Sequence, residues 1–243
     1  MIHLDHISKK FGKFKALNNI NLTFEKGECL ALIGPNGCGK TTLIKSILGM
    51  VIPSEGNIQF DGKDIKNDWS YREKIGYMPQ IGRYPENMTI GQVLNMMKDI
   101  RKVPENKLDL EVAELFEIDG LLDKKMSTLS GGTRQKVSAC LAFMFDPKVL
   151  ILDEPTAGLD PVSVELLKEK ILREKAKNKL IIITSHVLSE LDDLVTQVVY
   201  MFEGRVAFHK SLQQLKMDTG EGKLSKAIAH IMMNQQKQMH YQE

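Results

Sequence analysis

Three glycines fall within six positions, Gly34, Gly37 and Gly39, and Lys40, Thr41 and Thr42 follow at once in the stretch GPNGCGKTT. The spacing Gly34, four residues, Gly39-Lys40-Thr41 is that of a phosphate-binding loop. Its chemistry follows from the residue types. Without Cβ atoms the backbone curls so that successive N–H groups point inward at an anion. A helix that begins there adds unpaired donors and the positive end of its dipole. Lys40 then reaches the β- and γ-phosphates, and the Thr41 hydroxyl suits Mg²⁺, which prefers oxygen ligands. Pro35, Asn36 and Cys38 complete a loop whose backbone does the binding. A nucleoside triphosphate is the expected ligand.

Two further stretches carry chemistry. VLILDEP ends an apolar run with neighbouring carboxylates, Asp153 and Glu154. Burying such a pair is costly unless a cation or a proton offsets it. Asp153 is expected to hold Mg²⁺ directly or through water, and Glu154 to orient and deprotonate an attacking water. Ser130-Gly131-Gly132 precedes a helix expected from Thr133, a second anion-binding helix start made of a hydroxyl and freed N–H groups. Taken alone, it is an ordinary Ser-Gly helix entry.

The elements that must position these groups are legible from periodicity. Residues 30–33 read as a buried strand, and Leu43, Ile44, Ile47 and Leu48 recur at helical steps over 41–48. Residues 148–155 and 179–186 are near-continuous apolar runs joined by a helical stretch over 162–177, the mark of parallel strands covered on both faces. The first 30 residues alternate short apolar stretches with turns. With a hairpin over 56–65 punctuated by Gly56 and Asp61-Gly62, they predict a strand-rich layer. A short strand over 75–78 is closed by Pro79. From Thr89 the period becomes helical, through Ile90, Val93, Leu94, Met97 and Ile100 and then Leu108, Val112, Leu115 and Phe116, so a helical region from about 82 to 145 interrupts the body. Residues 197–208 read as a hairpin around Glu203-Gly204. In the polar tail, Leu224, Ala227, Ile228 and Ile231 share one helical face, expected to pack on the body or on a second subunit. His230 and Met233, with Met232, Met239 and His240 nearby, are soft ligands of a type suited to Cu(I), though Met and His near a chain end are common.

Composition bounds the partners. The 243 residues are 42% hydrophobic and 26% charged, ordinary for a globular chain able to bury a substantial core. A net charge of +2, from 33 basic and 31 acidic side chains, implies no general polyanion binding, so no nucleic acid is expected. Cys29, Cys38 and Cys140 are widely spaced, without metal-binding spacing, and read as reduced thiols in the cytoplasm. The opening residues lack an apolar run long enough for a signal peptide, and no segment approaches ~20 continuous apolar residues. Any membrane crossing is expected from another chain.

Together the motifs resemble the ATP-binding cassette (ABC) ATPase family over roughly residues 1–210. GPNGCGKTT is similar to its phosphate loop, LSGGT to its signature, LILDEP to its second acidic motif, AGLDP with Asp160 to its D-loop, TSH ending in His186 to its switch histidine, and Gln80 in YMPQ to its Q-loop glutamine. The resemblance implies an α/β fold: a P-loop NTPase (RecA-like) core with an antiparallel β layer and an inserted α-helical subdomain at about 82–145. Residues 1–210 form the ATPase domain, and 211–243 an amphipathic helical extension. ATP and Mg²⁺ are the implied cofactors, with Thr41, Gln80 and Asp153 at the metal. Glu154, His186 and Gln80 are the implied catalytic set: His186 meets the γ-phosphate and orients the water, and Gln80 senses Mg²⁺ or water. Ser130, Gly131 and Gly132 of one chain are expected to cover the ATP held by Lys40 of another, in a head-to-tail homodimer or paired cassette, with Asp160 coupling the sites.

Three positions depart from the family pattern. Phe11 stands where a tyrosine usually stacks on adenine, with Phe14 a weaker candidate; Cys38 replaces serine or alanine; Thr133 replaces glutamine. The implied partner is an integral membrane permease subunit, with this chain peripheral on the cytoplasmic face. Tyr84, Met88, Met96 and Met97 offer an adaptable apolar surface for it, or else fill the core. GLDP and TSHVLSELDDL look exporter-type, and the wording over 31–50 and 71–93 is more narrowly similar to the ATPase that serves copper-site maturation of nitrous oxide reductase. A soluble ABC ATPase of the iron–sulfur assembly type is the alternative.

Overall fold

The computed structural model describes residues 1–240, with side chains described for 1–233, so the expectations for Met239 and His240 and the last three residues of the 211–243 extension lie outside them. The chain opens as a long hairpin, β1 (Ile2–Phe11) and β2 (Phe14–Phe24), then enters β3 (Cys29–Ile33) and α1 (Lys40–Ile47). It returns to the first layer as β4 (Glu55–Phe60) and β5 (Lys63–Asp64), giving an antiparallel sheet in the order β2-β1-β4-β5. The hairpin turns at Asp61-Gly62 as expected. Gly56 falls inside β4 rather than at its end, beside the register shift between Asp5 and Ser8 of β1.

The second sheet holds β3 with β6 (Ile75–Met78), β7 (Val149–Asp153), β8 (Leu180–Thr184), β9 (Gln197–Phe202) and β10 (Arg205–Ser211), in the order β10-β9-β3-β8-β7-β6. All neighbours are parallel except the β9-β10 hairpin. Alternation along β3 divides its side chains between two cores, as the pleat requires. Leu30 and Leu32 join Leu43, Ile44 and Ile47 of α1 and the inner face of the antiparallel sheet, while Cys29, Ala31 and Ile33 face the other helices.

Those helices are α2 (Ile90–Arg101), α3 (Glu111–Leu115), α4 (Gly131–Phe143), α5 (Pro161–Ala176), α6 (Leu212–Thr219) and α7 (Leu224–His240). A reciprocal cap starts α2: Gln92 N donates to Thr89 Oγ1 at 3.2 Å, and Thr89 N to Gln92 Oε1 at 2.9 Å. The interrupting region is less helical than its periodicity predicts. Leu108 to Phe116 yields only the short α3: ahead of its start Asp109 draws the chain into a local turn (Glu111 N to Asp109 Oδ1, 3.2 Å), and past its end Glu117 leaves helical conformation at φ 52°.

Beneath α3 lies a buried ion network. Lys170 of α5 is fully buried, with Nζ 2.6 Å from Asp109 Oδ2, 2.6 Å from Glu111 Oε2 and 2.8 Å from Glu174 Oε1. Burial favours the neutral Glu174 carboxyl, but the ammonium groups of Lys170, Lys177 and Lys179 prevail and hold it down to about 2. Asp109, Asp146 and Glu174 also lie close enough together to suggest a metal site. Lys170 and Lys179 already occupy that space as counter-charges.

Of the alternatives for the tail, the structure takes the body of the same chain. Leu224, Ala227 and Ile228 are fully buried in the helix-side core and Ile231 packs against it. Among the described residues no helix is long and apolar enough to cross a membrane.

Candidate nucleotide-binding site

The glycine-rich loop runs from the end of β3 into α1, the strand-to-helix turn that its spacing predicts. Gly34 has φ 155° and Gly39 φ 106°, and a Cβ at either would strike backbone: Met201 O at Gly34, and Ala16 O at 2.5 Å from Gly39. Gly39 is also the N-cap of α1 and brings no side chain to satisfy the first-turn N–H groups, which stay directed at the loop. Lys40 Nζ lies over the loop, donating to Gly34 O at 2.6 Å and Pro35 O at 3.1 Å. Cys38 is 2% exposed, at the edge of the sheet-side core, and its Sγ stays beside the loop, 3.9 Å from Lys40 Nζ. All three cysteines are free and buried, and burial pushes the Cys29 and Cys140 thiols up to about 12.

A cleft of about 440 Å³ opens beside the loop, walled by Asn36, Gly37, Gly39, Lys40, Thr41 and Thr42 on one side and by Gln80, Asp153, Glu154 and His186 on the other. The acids arrive there because β7 lies beside β8 in register, Asp153 opposite Thr184. Thr184 Oγ1 donates to Asp153 Oδ1 at 2.5 Å. Glu154 N in turn donates to Thr184 O and Oγ1, both at 3.1 Å. The Glu154 carboxylate then meets His186, accepting from its backbone N at 3.1 Å through Oε2 and lying 3.4 Å from its Nε2 through Oε1. Thr41, Gln80 and Asp153 each offer an oxygen atom of the kind a hard divalent cation takes, and they line the same cleft as an ammonium and a row of N–H donors. That donor set fits Mg²⁺ beside a polyphosphate.

A second cavity of about 710 Å³ shares Thr41, Gln80 and Asp153 with the cleft and continues outward past Ile81, Tyr84, Met97, Arg101 and Phe145. Gln80 therefore sits where the two meet. Burial, then the Asp153 charge, raises the Tyr77 hydroxyl there to about 12. Met88 instead packs against the helix-side core, and neither it nor Met96 lines this cavity.

The Ser130 group does not line the cleft. Ser130 caps α4, its Oγ accepting from Thr133 N at 3.2 Å, with Gly131 and Gly132 following. Asp160 caps α5, accepting from Ser163 N at 2.9 Å and Ser163 Oγ at 2.6 Å, and stands 3.2 Å from Lys136 Nζ. Those serine hydrogen bonds, then Lys136, hold its carboxyl well below the usual range. Phe11 also lies outside the cleft wall. The wall takes Phe14, its partner across the β1-β2 turn, while Lys9 Nζ lies 5.1 Å over the Phe11 ring.

Two residues escaped the sequence reading. Thr184 orders both acids, and Gln135 of α4, 5% exposed, donates from Nε2 to Glu154 O at 3.1 Å. Neither carries a spacing signal, since each acts on a residue that only folding brings near.

Comparison with known proteins gives a consistent likeness. The sequence pattern of the family described as ABC transporter matches residues 17–157. The chain is 32% identical over 225 residues to an uncharacterized ABC transporter ATP-binding protein, YhaQ, of Bacillus subtilis, covering 91% of this chain and 74% of that one. It is 32% identical over 212 residues to the lantibiotic transport ATP-binding protein SrtF of Streptococcus pyogenes, covering 86% and 90%. A solved structure of an ATP-binding subunit of an ABC transporter superposes with a TM-score of 0.88 at 27% identity, covering 96% of this chain and 99% of that one.

Proposed function

The chain belongs to the ABC transporter family, as one of its ATP-hydrolysing subunits, and from that premise we propose that it is the motor of a membrane transporter whose channel is a separate chain. Such subunits dimerise and pair with membrane subunits. The observation that carries the reading is the single cleft in which Lys40, Thr41, Asp153, Glu154 and His186 converge. In it Lys40 and the loop N–H groups bind the ATP phosphates. Mg²⁺, held by Thr41, Asp153 and Gln80, supplies charge neutralisation when bound. Glu154 accepts the proton of the attacking water, and His186 holds the carboxylate from behind and reaches toward the γ-phosphate. Phe14, with Phe11 beside it, provides the aromatic surface for adenine.

The position of Ser130, Gly131, Gly132 and Asp160 outside the cleft supports a head-to-tail pair, in which these groups close on the nucleotide of the facing chain. ATP then joins the two chains and hydrolysis releases them. Glu154→Gln is expected to bind ATP normally, reduce turnover by about a hundredfold or more and accumulate an ATP-dependent dimer, since only the proton acceptor is lost. Gel filtration with ATP and Mg²⁺, beside a phosphate-release assay, checks this. A persistent monomer with unimpaired hydrolysis refutes the role.

The cavity beyond Gln80, with Tyr84, Met97 and Phe145 on its walls, supports docking of a short helix of the membrane subunit, placing the chain on the cytoplasmic face. We read the transporter as exporter-type from the wording of residues 158–161 and 184–194, a reading supported by the likeness to a lantibiotic transport protein. Affinity capture from detergent extracts tests both points. Recovery of a membrane chain supports the motor, and one acting in copper-site maturation of nitrous oxide reductase carries the narrower likeness. Recovery of soluble iron–sulfur assembly proteins alone favours the alternative.

A further inference from the structure

Gln135 lies on α4, five residues beyond Ser130, with its side chain buried. A buried amide must find its partners inside the protein. Its Nε2 donates to Glu154 O at 3.1 Å and reaches Pro155 O at 3.4 Å. Glu154 itself has φ 53°, a left-handed conformation that a residue with a Cβ keeps only where its surroundings impose it. Thr184 holds the N–H of that residue, and Gln135, with Ala157 N at 3.1 Å, holds its carbonyl. Two more contacts press α4 onto the same turn. A Cβ on Gly132 would lie 2.6 Å from Gly158 O, and Lys136 is paired with Asp160.

We propose that Gln135 is a positioning residue for hydrolysis: it locks the Glu154 peptide so that the carboxylate faces His186 and the cleft. In the head-to-tail pairing proposed above, on which this rests, Ser130 and Glu154 of one chain serve different nucleotides. Gln135 is then the link between the two sites. Movement of α4 as Ser130 closes on one nucleotide is transmitted to the carboxylate that acts on the other.

Mixed dimers of two differently tagged full-length chains test this, with Gln135→Met keeping the length of the side chain and removing its donors. In the first pairing, a Gln135→Met chain is joined to a Glu154→Gln chain, so the one competent carboxylate sits beside the altered residue. In the second, a chain carrying both substitutions is joined to an unaltered chain, so the competent carboxylate keeps its own Gln135 and is covered by Ser130 of the altered chain. Against an unaltered chain paired with Glu154→Gln, kcat is expected to fall about tenfold or more in the first pairing and to stay within about twofold in the second, with KM for ATP unchanged in both. Equal loss in both pairings, or no loss in the first, overturns the proposal.

If Gln135→Met binds no ATP, Gln135→Asn carries the same measurement, its amide being one methylene short of Glu154 O. The pairing itself is checked by Ser130→Arg with Glu154→Gln. Turnover is expected with the two changes on separate chains, and none with both on one chain beside an unaltered partner. The reverse result refutes the head-to-tail reading, and the link falls with it whatever Gln135 does to the rate.

Discussion

A single ammonium does two things in this cleft. Lys40 Nζ ties the loop carbonyls of Gly34 and Pro35 and, in the function proposed above, is the charge that faces the polyphosphate. Lys40→Ala is therefore expected to weaken ATP binding by about 1.5–3 kcal/mol, the range of a hydrogen bond to a charged group. That is roughly a ten- to hundredfold rise in Kd by calorimetry. Unchanged affinity contradicts the phosphate-loop assignment. Glu154 responds differently, because its side chain contacts His186 rather than the loop. At the same scale, Phe14 and Phe11 part company. The two residues are directly paired across one turn, and Phe14 lines the cleft while the Phe11 ring lies under Lys9.

At the scale of elements, the Lys170 network fastens α3 and the loop before it to α5. Removing its cation leaves three carboxylates short of counter-charge, and a broken buried pair costs about 3–5 kcal/mol. Lys170→Met is expected to lower the Tm by roughly 6 to 20 °C, at about 2–4 °C per kcal/mol for a chain of this size. Thermal unfolding at pH 7 checks it. Acid attacks the same place. Glu174 is held down to about 2 from an ordinary 4.5, so its stabilising share, on the order of 3 kcal/mol, is fully present above pH 4.5 and is lost as pH falls toward 2. In Lys170→Met the Glu174 carboxyl rises, so the acid transition is expected to move to higher pH. An unshifted transition contradicts the network's role.

For the molecule as a whole, the tail is structural. Leu224, Ala227 and Ile228 complete the helix-side core, and Leu224 N donates to Asp192 Oδ1 at 2.9 Å, close in sequence to His186. Ile228→Ala is expected to cost about 2–5 kcal/mol as a core truncation while leaving the Kd for ATP unchanged, since the cleft is lined entirely by other elements. Denaturant titration and calorimetry on the same preparation separate the two effects. A loss of ATP affinity without a loss of stability refutes this division.

The phosphate loop, the acid pair and the apolar strand runs were readable in the chain because each is local. Gly34 through Thr42 are contiguous, and a buried parallel strand writes itself as a run such as Val149–Asp153. The sheet-helix alternation and the interrupting region followed from the same short-range periodicities. Only the tertiary structure decided that Gln135 holds the Glu154 carbonyl, that Thr184 orders both acids, that Lys170 meets Asp109 and that the tail face covers its own body. These partners stand 19, 31 and 61 positions apart in the first three cases, and no local pattern encodes them. They arise when β7, β8, α4 and α5 pack together, and a polar group carried into that interior must take whichever donor or acceptor the packing brings within reach.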